Sequence, residues 1–215
     1  NAAAMESLGA SGVSTLLFAP AEPLSDAARA YIAMGEKLQI DARYKCRKRS
    51  PWWKVPLPPV PDAFITYMNS FGPNICGNEV SVPSLNCCHG IRFHDELRER
   101  GCAYLPMASF NSATLLSAEL IGRSYGGGIQ KLEPREAARL AVPSPCVIDT
   151  VQGRLSSARD EFDALLSRGE YETASELVDG IVLSGAMGLG DEEIGVIRGA
   201  CKKMRDRRRN RVKAR

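Results

Sequence analysis

A chain of 215 residues, 44% apolar and 25% charged, is sized for one large folded domain or for a mid-sized domain with a helical appendage. No run approaches the roughly eighteen apolar residues a membrane span needs, which argues against bilayer insertion. Seven cysteines (Cys46, Cys76, Cys87, Cys88, Cys102, Cys146, Cys201) make an odd set without regular spacing, which argues against a secreted disulfide framework and points to a reducing cytoplasm.

The net charge of +3 conceals an asymmetry. Arg43 to Lys54 holds six bases and no acid, and Lys202 to Arg215 holds nine bases and one acid, so the remainder is strongly acidic. Basic charge gathered into two stretches of an acidic chain is the footprint of a polyanion binder; a solvated basic tail is the plainer reading of the second stretch.

In chain order, the small and featureless Asn1 to Ala4 carries no signal-peptide pattern, and residues 1–16 read as a tag remnant or unstructured start of a piece taken from a longer protein. A helix begins near Ser25 and Asp26, with Ala27, Ala30, Tyr31 and Met34 at helical spacing and Gly35 as its stop. From Arg43 to about Leu105 prolines and glycines recur, with short strands expected at Ala63 to Tyr67, Glu79 to Val82 and Ile91 to Phe93. Asn111 to Gly122 returns to helical spacing and runs into Ser124-Tyr125-Gly126-Gly127-Gly128. A strand at Ile129 to Leu132 and a short helix over Arg135 to Leu140, with Pro134 in its first turn, precede Val142-Pro143-Ser144-Pro145. Three helices are then predicted, roughly Val147 to Ser167, Glu170 to Leu183 and Glu192 to Arg209, with bundle-like apolar faces.

The first basic stretch interleaves Lys45, Arg47, Lys48, Arg49 and Lys54 with Trp52 and Trp53. Cations neutralise phosphates and planar side chains lie against sugars or bases. Alternatively the indoles are core residues and the bases a solvated face; adjacent indoles in one strand point to opposite faces, so only one of them can be core. Three glycines after a helix permit unusual backbone angles and close approach of a second backbone, although they more often make a tight turn, and no Gly-Lys-Ser or Gly-Lys-Thr follows to make a phosphate loop.

The ordered set Tyr44-Lys45-Cys46-Arg47, Pro51-Trp52-Trp53 with Val55-Pro56, Asn111-Ser112, Ser117 to Gly128, Lys131-Leu132-Glu133-Pro134 and Val142-Pro143 resembles the target-recognition region of bacterial adenine-N6 DNA methyltransferases of restriction-modification systems. The likeness covers approximately Leu17 to Pro143 and is weaker in the C-terminal helices. It implies an α+β fold: a mixed short-strand recognition domain over 17–145 and a C-terminal helical subdomain with a basic tail over 146–215. It implies duplex DNA as partner, a catalytic methyltransferase domain in the same parent protein, S-adenosylmethionine as cofactor of that parent and none in this chain. Lys45, Arg47, Trp52 and Trp53 would face DNA together with Lys48, Arg49 and Lys54. Arg123, Ser124, Tyr125, Gly126, Gly127 and Gly128 would form a turn at the DNA or under the reading loops, with Lys131 beside it. Gln130 stands where the family tends to carry an apolar residue.

The family's Asn-Pro-Pro-Tyr type motif and its cofactor-binding glycine turn are missing. Leu57-Pro58-Pro59-Val60 lacks the flanking polar and aromatic residues, and Gly185-Ala186-Met187-Gly188-Leu189-Gly190 joins two predicted helices without a preceding strand. Cys87, Cys88, His89 and His94 offer a rival zinc reading, although adjacent cysteines do not copy a Cys-x-x-Cys knuckle. Cys46 or Cys102 with His89 or His94 offers a nucleophile that would need an activating geometry. A module whose helical end docks on a partner subunit is the main alternative to DNA binding.

Overall fold

The computed structural model describes residues 7–13, 17–84 and 87–210. The expected unstructured start lies partly outside them, as do the last residues of the basic tail at 211–215. The chain divides into two compact units, Asn1–Pro59 and Val60–Arg215.

In the first unit, helix α1 (Asp26–Lys37) is capped by the Ser25 hydroxyl, which accepts from the Ala28 N–H at 3.2 Å. Gly35 does not stop the helix as expected. It lies inside it because Trp52 packs there; a Cβ on Gly35 would come within 2.6 Å of the indole. The segment after α1 is not a strand either. It is a chain of turns closed by the Arg47 N–H donating to Arg43 O at 3.0 Å, Arg49 to Cys46 O at 2.9 Å and Lys54 to Pro51 O at 3.1 Å.

The second unit is a mixed α+β fold with two small antiparallel sheets. Strands β1 (Ala63–Thr66), β3 (Ile75–Gly77) and β4 (Cys88–Ile91) form one sheet in the order β3-β1-β4. Strands β2 (Met68–Asn69), β5 (Arg123–Tyr125) and β6 (Ile129–Lys131) form the other in the order β2-β6-β5. The strand expected at Glu79 to Val82 is absent, and β3 lies just before it. Asn78 turns the chain there, its amide donating to Pro61 O at 2.8 Å and Val82 O at 2.9 Å while accepting from the Val82 N–H at 3.1 Å. The strand expected at Ile91 to Phe93 is β4, placed earlier in the chain.

Helix α2 (Asp95–Ala108) occupies a stretch expected to be loop and strand, and contains both Gly101 and Pro106. Pro106 falls in the last turn and forgoes the one bond its N–H would have made, while Gly101, Leu105, Met107 and Ala108 are buried. Helix α3 (Ser112–Ile121) starts as predicted, with Asn111 accepting from the Thr114 N–H at 2.9 Å. Helix α4 (Pro134–Ala137) is a single turn begun by proline.

The predicted helix over 147–167 is two, α5 (Pro145–Ser157) and α6 (Arg159–Ser167), broken at Ala158. The break lets Ile148, Val151 and Leu155 of one and Phe162 and Leu165 of the other reach the same core. Helix α7 (Tyr171–Asp179) widens into a π turn (Gly180–Ser184), whose Gly185 N–H donates to Gly180 O at 3.2 Å. Helix α8 (Asp191–Asn210) ends the described chain. Within the second unit, residues 146–210 share one buried core with β1, β3, α2 and α3, in which Phe110 meets both Phe71 and Phe162.

Candidate nucleic-acid interface

In the first unit the two indoles do not diverge as strand neighbours would. Trp52 lies on Gly35 and donates from Nε1 to Glu36 Oε1 at 3.2 Å, and Trp53 meets Phe18 edge-on at 6.2 Å. Both are half-buried and hold the turn segment against α1 and the chain before it. Arg49 is half-buried too, and Lys54 pairs with Glu22 at 3.1 Å. Arg43, Lys45, Arg47 and Lys48 are exposed and, among the described residues, carry no ion pair. Beside them Tyr44 is 70% exposed, with the Lys48 ammonium 5.8 Å from its ring centre. This unit therefore presents unneutralised cations around a solvent-facing aromatic ring.

In the second unit the predicted block folds into the hairpin β5–β6. Arg123 lies opposite Lys131, Ser124 opposite Gln130 and Tyr125 opposite Ile129. Arg123, Ser124, Tyr125, Gly126 and Gly127 are exposed. Gly127 (φ 74°) and Gly128 (φ 72°) make the left-handed turn that side chains disfavour. Gly128 also approaches another backbone, since a Cβ there would lie 3.0 Å from Arg209 Cα. The close approach expected of this turn is thus made, and its partner is the protein's own C-terminal helix.

The two cations of the hairpin are already engaged. Arg123 pairs with Glu136, and Lys131 with Glu133 at 2.8 Å. Hydrogen bonding to Glu136 holds the Arg123 guanidinium above its ordinary value, and Glu133 does the same for the Lys131 ammonium. In return Lys131 holds the Glu133 carboxyl below the usual range, and the Glu133 N–H, followed by Arg123, lowers Glu136. The Lys131 ammonium also sits between two rings, 5.1 Å from the centre of Tyr67 and 5.3 Å from that of Tyr125.

The second basic stretch is divided between surface and interior. Arg208 is buried and bidentate on buried Glu119, at 2.7 and 3.1 Å, and also donates to Ser70 O at 3.2 Å and to Gly128 O. Arg205 is buried with its guanidinium carbon 3.6 Å from the Phe71 ring centre and Nη1 3.2 Å from Glu172. These two arginines are structural, so neither the polyanion footprint nor the solvated tail considered for the second basic stretch extends to them. Lys202, Lys203, Arg207 and Arg209 remain exposed and, among the described residues, have no ion pair.

Of the thiols and histidines of the rival readings, His89 is already engaged. His89 Nε2 lies 2.8 Å from Leu132 O and its ring meets Tyr67 edge-on at 5.2 Å. Among the described residues no three His, Cys, Asp or Glu side chains converge as a metal site. Burial pushes the Cys76, Cys88 and Cys102 thiols up, away from nucleophilic thiolate. Gly185 to Gly190 follows a π turn and precedes α8, so no strand-to-helix cradle for a nucleotide cofactor forms there. No helix among the described residues is long and apolar enough to cross a membrane.

Ser70, Tyr67 and Glu136 were not singled out by sequence reasoning, and Glu119 and Glu133 stood in the quoted motifs without a role. One signal existed: the buried stripe of α8 through Ile194 and Cys201 continues at helical spacing onto Arg205 and Arg208.

The type II methyltransferase M.XamI of Xanthomonas campestris pv. amaranthicola is 33% identical over 107 residues, covering 48% of this chain and 19% of that protein. The chain therefore spans less than a fifth of the length of this relative. No solved structure matches. A model of the C-terminal domain of the type II methyltransferase M.Eco57I matches residues 1–183, and the chain belongs to that family.

Proposed function

We propose that this chain is the sequence-specific DNA-reading part of an adenine-N6 DNA methyltransferase of a bacterial restriction-modification system, working in the cytoplasm beside a catalytic domain of the same parent protein. S-adenosylmethionine supplies the methyl group in that parent, and the residues of this chain are assigned no contact with it. Their role is to hold duplex DNA in register while the target adenine is turned out for methyl transfer.

The observation that carries this reading is the set of exposed, unneutralised cations Arg43, Lys45, Arg47 and Lys48 around exposed Tyr44, within the family-matched region. Phosphate contacts position a protein on DNA, and flat side chains add stacking surface. Arg49, Trp52, Trp53 and Lys54 shape that segment from behind. In the hairpin, Ser124, Tyr125, Gly126 and Gly127 offer the exposed edge, and Gly128, Arg123 and Lys131 hold it in shape.

Binding to a random duplex pool across a salt series, with sequencing of the retained fraction, tests this reading. If about five phosphates are neutralised, affinity falls with a log-log slope of roughly −4.5. Enrichment of a short adenine-containing motif is expected. A slope near zero removes the DNA role, and loss of partner association without loss of DNA binding on replacing the exposed Lys202, Lys203, Arg207 and Arg209 by alanine, which leaves buried Arg205 and Arg208 in place, assigns the C-terminal helix to docking instead.

A further inference from the structure

Gln130 is the polar residue of the core with no visible structural duty. It lies in the central strand of its sheet, between Asn69 on β2 and Ser124 on β5, and is 1% exposed. Among the described residues neither its Nε2 nor its Oε1 has a hydrogen-bond partner. A buried carboxamide with both atoms unpaired is costly and rare, and an apolar residue of similar size would fill the position without that cost.

The same side chain lines a cavity of about 230 Å³ with Glu119, Ser124, Met204, Arg207 and Arg208. Glu119 and Arg208 satisfy each other, so the polar side chains left along the cavity are Ser124, Arg207 and Gln130, the last with its amide atoms covered in this arrangement. The volume lies below the roughly 300–1,000 Å³ of drug-sized sites, which suits the edge of one ring system and not a whole cofactor. The cavity adjoins exposed β5, the strand that leads into the glycine turn.

We infer that this cavity takes up the major-groove edge of an adenine, with the Gln130 carboxamide reading N6 and N7. This rests on the proposed DNA-reading role and makes it specific. A carboxamide sets a donor beside an acceptor, and on the outer edges of the four bases only adenine presents the complementary pair; guanine offers two acceptors, cytosine a donor and thymine an acceptor beside a methyl. Entry displaces the exposed Arg207 side chain, which then lies at the phosphate of the bound nucleotide. The missing partners of Gln130 are thus supplied by the base.

The test titrates the ¹⁵N-labelled chain with deoxyadenosine, deoxyguanosine and deoxycytidine monophosphates and with inorganic phosphate, following the Gln130 side-chain amide resonance. The adenine nucleotide is expected to shift that resonance saturably and to bind about tenfold tighter than the guanine nucleotide, the discrimination of one good bidentate contact. In Gln130→Leu that preference disappears while the thermal midpoint stays at or above the parent value, since an unpaired amide has been removed from the core. An unmoved Gln130 resonance, or equal shifts with guanine nucleotide or phosphate alone, overturns the inference. Salt-dependent duplex binding measured on the same samples separates the two claims. Duplex binding with a silent Gln130 defeats the pocket and leaves the DNA role standing, whereas an adenine response without duplex binding keeps the pocket and defeats the DNA role.

Discussion

The two basic stretches look alike as sequence and differ in where their charge goes. In the turns after α1, Arg43, Lys45, Arg47 and Lys48 stand in solvent with no carboxylate partner among the described residues. In α8, Arg205 and Arg208 are 6% and 5% exposed and bound to Glu172 and Glu119, while Lys202, Lys203, Arg207 and Arg209 face out. A run of bases is therefore a polyanion footprint only where the fold does not draw its members inward, as it does Arg208 onto buried Glu119 and Arg205 onto the Phe71 ring. The difference follows from helical geometry, because a helix of 20 residues packed along one face must bury a fixed fraction of whatever it carries.

The largest effect expected is on the buried pair. Glu119→Ala strands the Arg208 guanidinium in the core and should lower the unfolding free energy by about 3–5 kcal/mol, read from urea denaturation. Replacing both partners together, by Glu119→Leu with Arg208→Met, should recover most of that loss. If Glu119→Ala costs less than about 1 kcal/mol, Arg208 belongs with the solvated cations and the contrast between the stretches collapses.

The opposite signature is expected of the first stretch. Lys45→Ala, Arg47→Ala and Lys48→Ala combined should leave stability within about 0.5 kcal/mol and make the salt slope of DNA binding shallower by about 2.7, three phosphates' worth. A destabilised triple variant with an unchanged slope would assign these side chains to the fold. Gly128→Ala should sit between the two behaviours. Its positive φ and its contact with the α8 backbone predict a loss of about 1–2 kcal/mol, and hydrogen exchange should show the loss centred on the β5–β6 turn.

What could be read from the sequence divides along the same line. Caps and periodicity located α1, α3 and α8 because Ser25, Asn111 and the apolar stripes act locally. Helix α2 escaped notice because Gly101 and Pro106 carry local signals that burial of Leu105 and Met107 overrides. The strand expected at Glu79 to Val82 failed for the reverse reason: its β-formers are diverted by one Asn78 amide bonding to Pro61, 17 residues away. In the site, residue types were legible and pairings were not. Arg123 and Lys131 read as free cations until the chain folds Glu136 and Glu133 beside them. Asp179 likewise gave no hint that it would be 0% exposed, accepting from the Ser112 N–H at 2.7 Å and from Arg198 Nε at 2.6 Å. Pairings between residues distant in sequence are set by topology, which no local pattern encodes.

The smallest effect expected concerns these hairpin pairs, and its sign is fixed by the direction of the shifts. Glu133 and Glu136 titrate lower folded than unfolded, so their contribution is present above the ordinary carboxylate value near 4.3 and is lost as pH falls through the folded values. Arg123 and Lys131 titrate higher folded, so theirs is complete below the ordinary lysine value near 10.4 and is lost only as pH rises through the folded values. Between those limits both pairs are intact and stability should be flat with respect to them. Below about pH 4.3 the urea midpoint should fall, and in Glu133→Gln it should fall less steeply. Because all four groups are solvent-accessible, added salt should shrink the difference between the two proteins. Identical acid limbs for parent and variant would mean that Lys131 is held by the Tyr67 and Tyr125 rings alone and stands, like Lys45 and Arg47, as a cation open to phosphate.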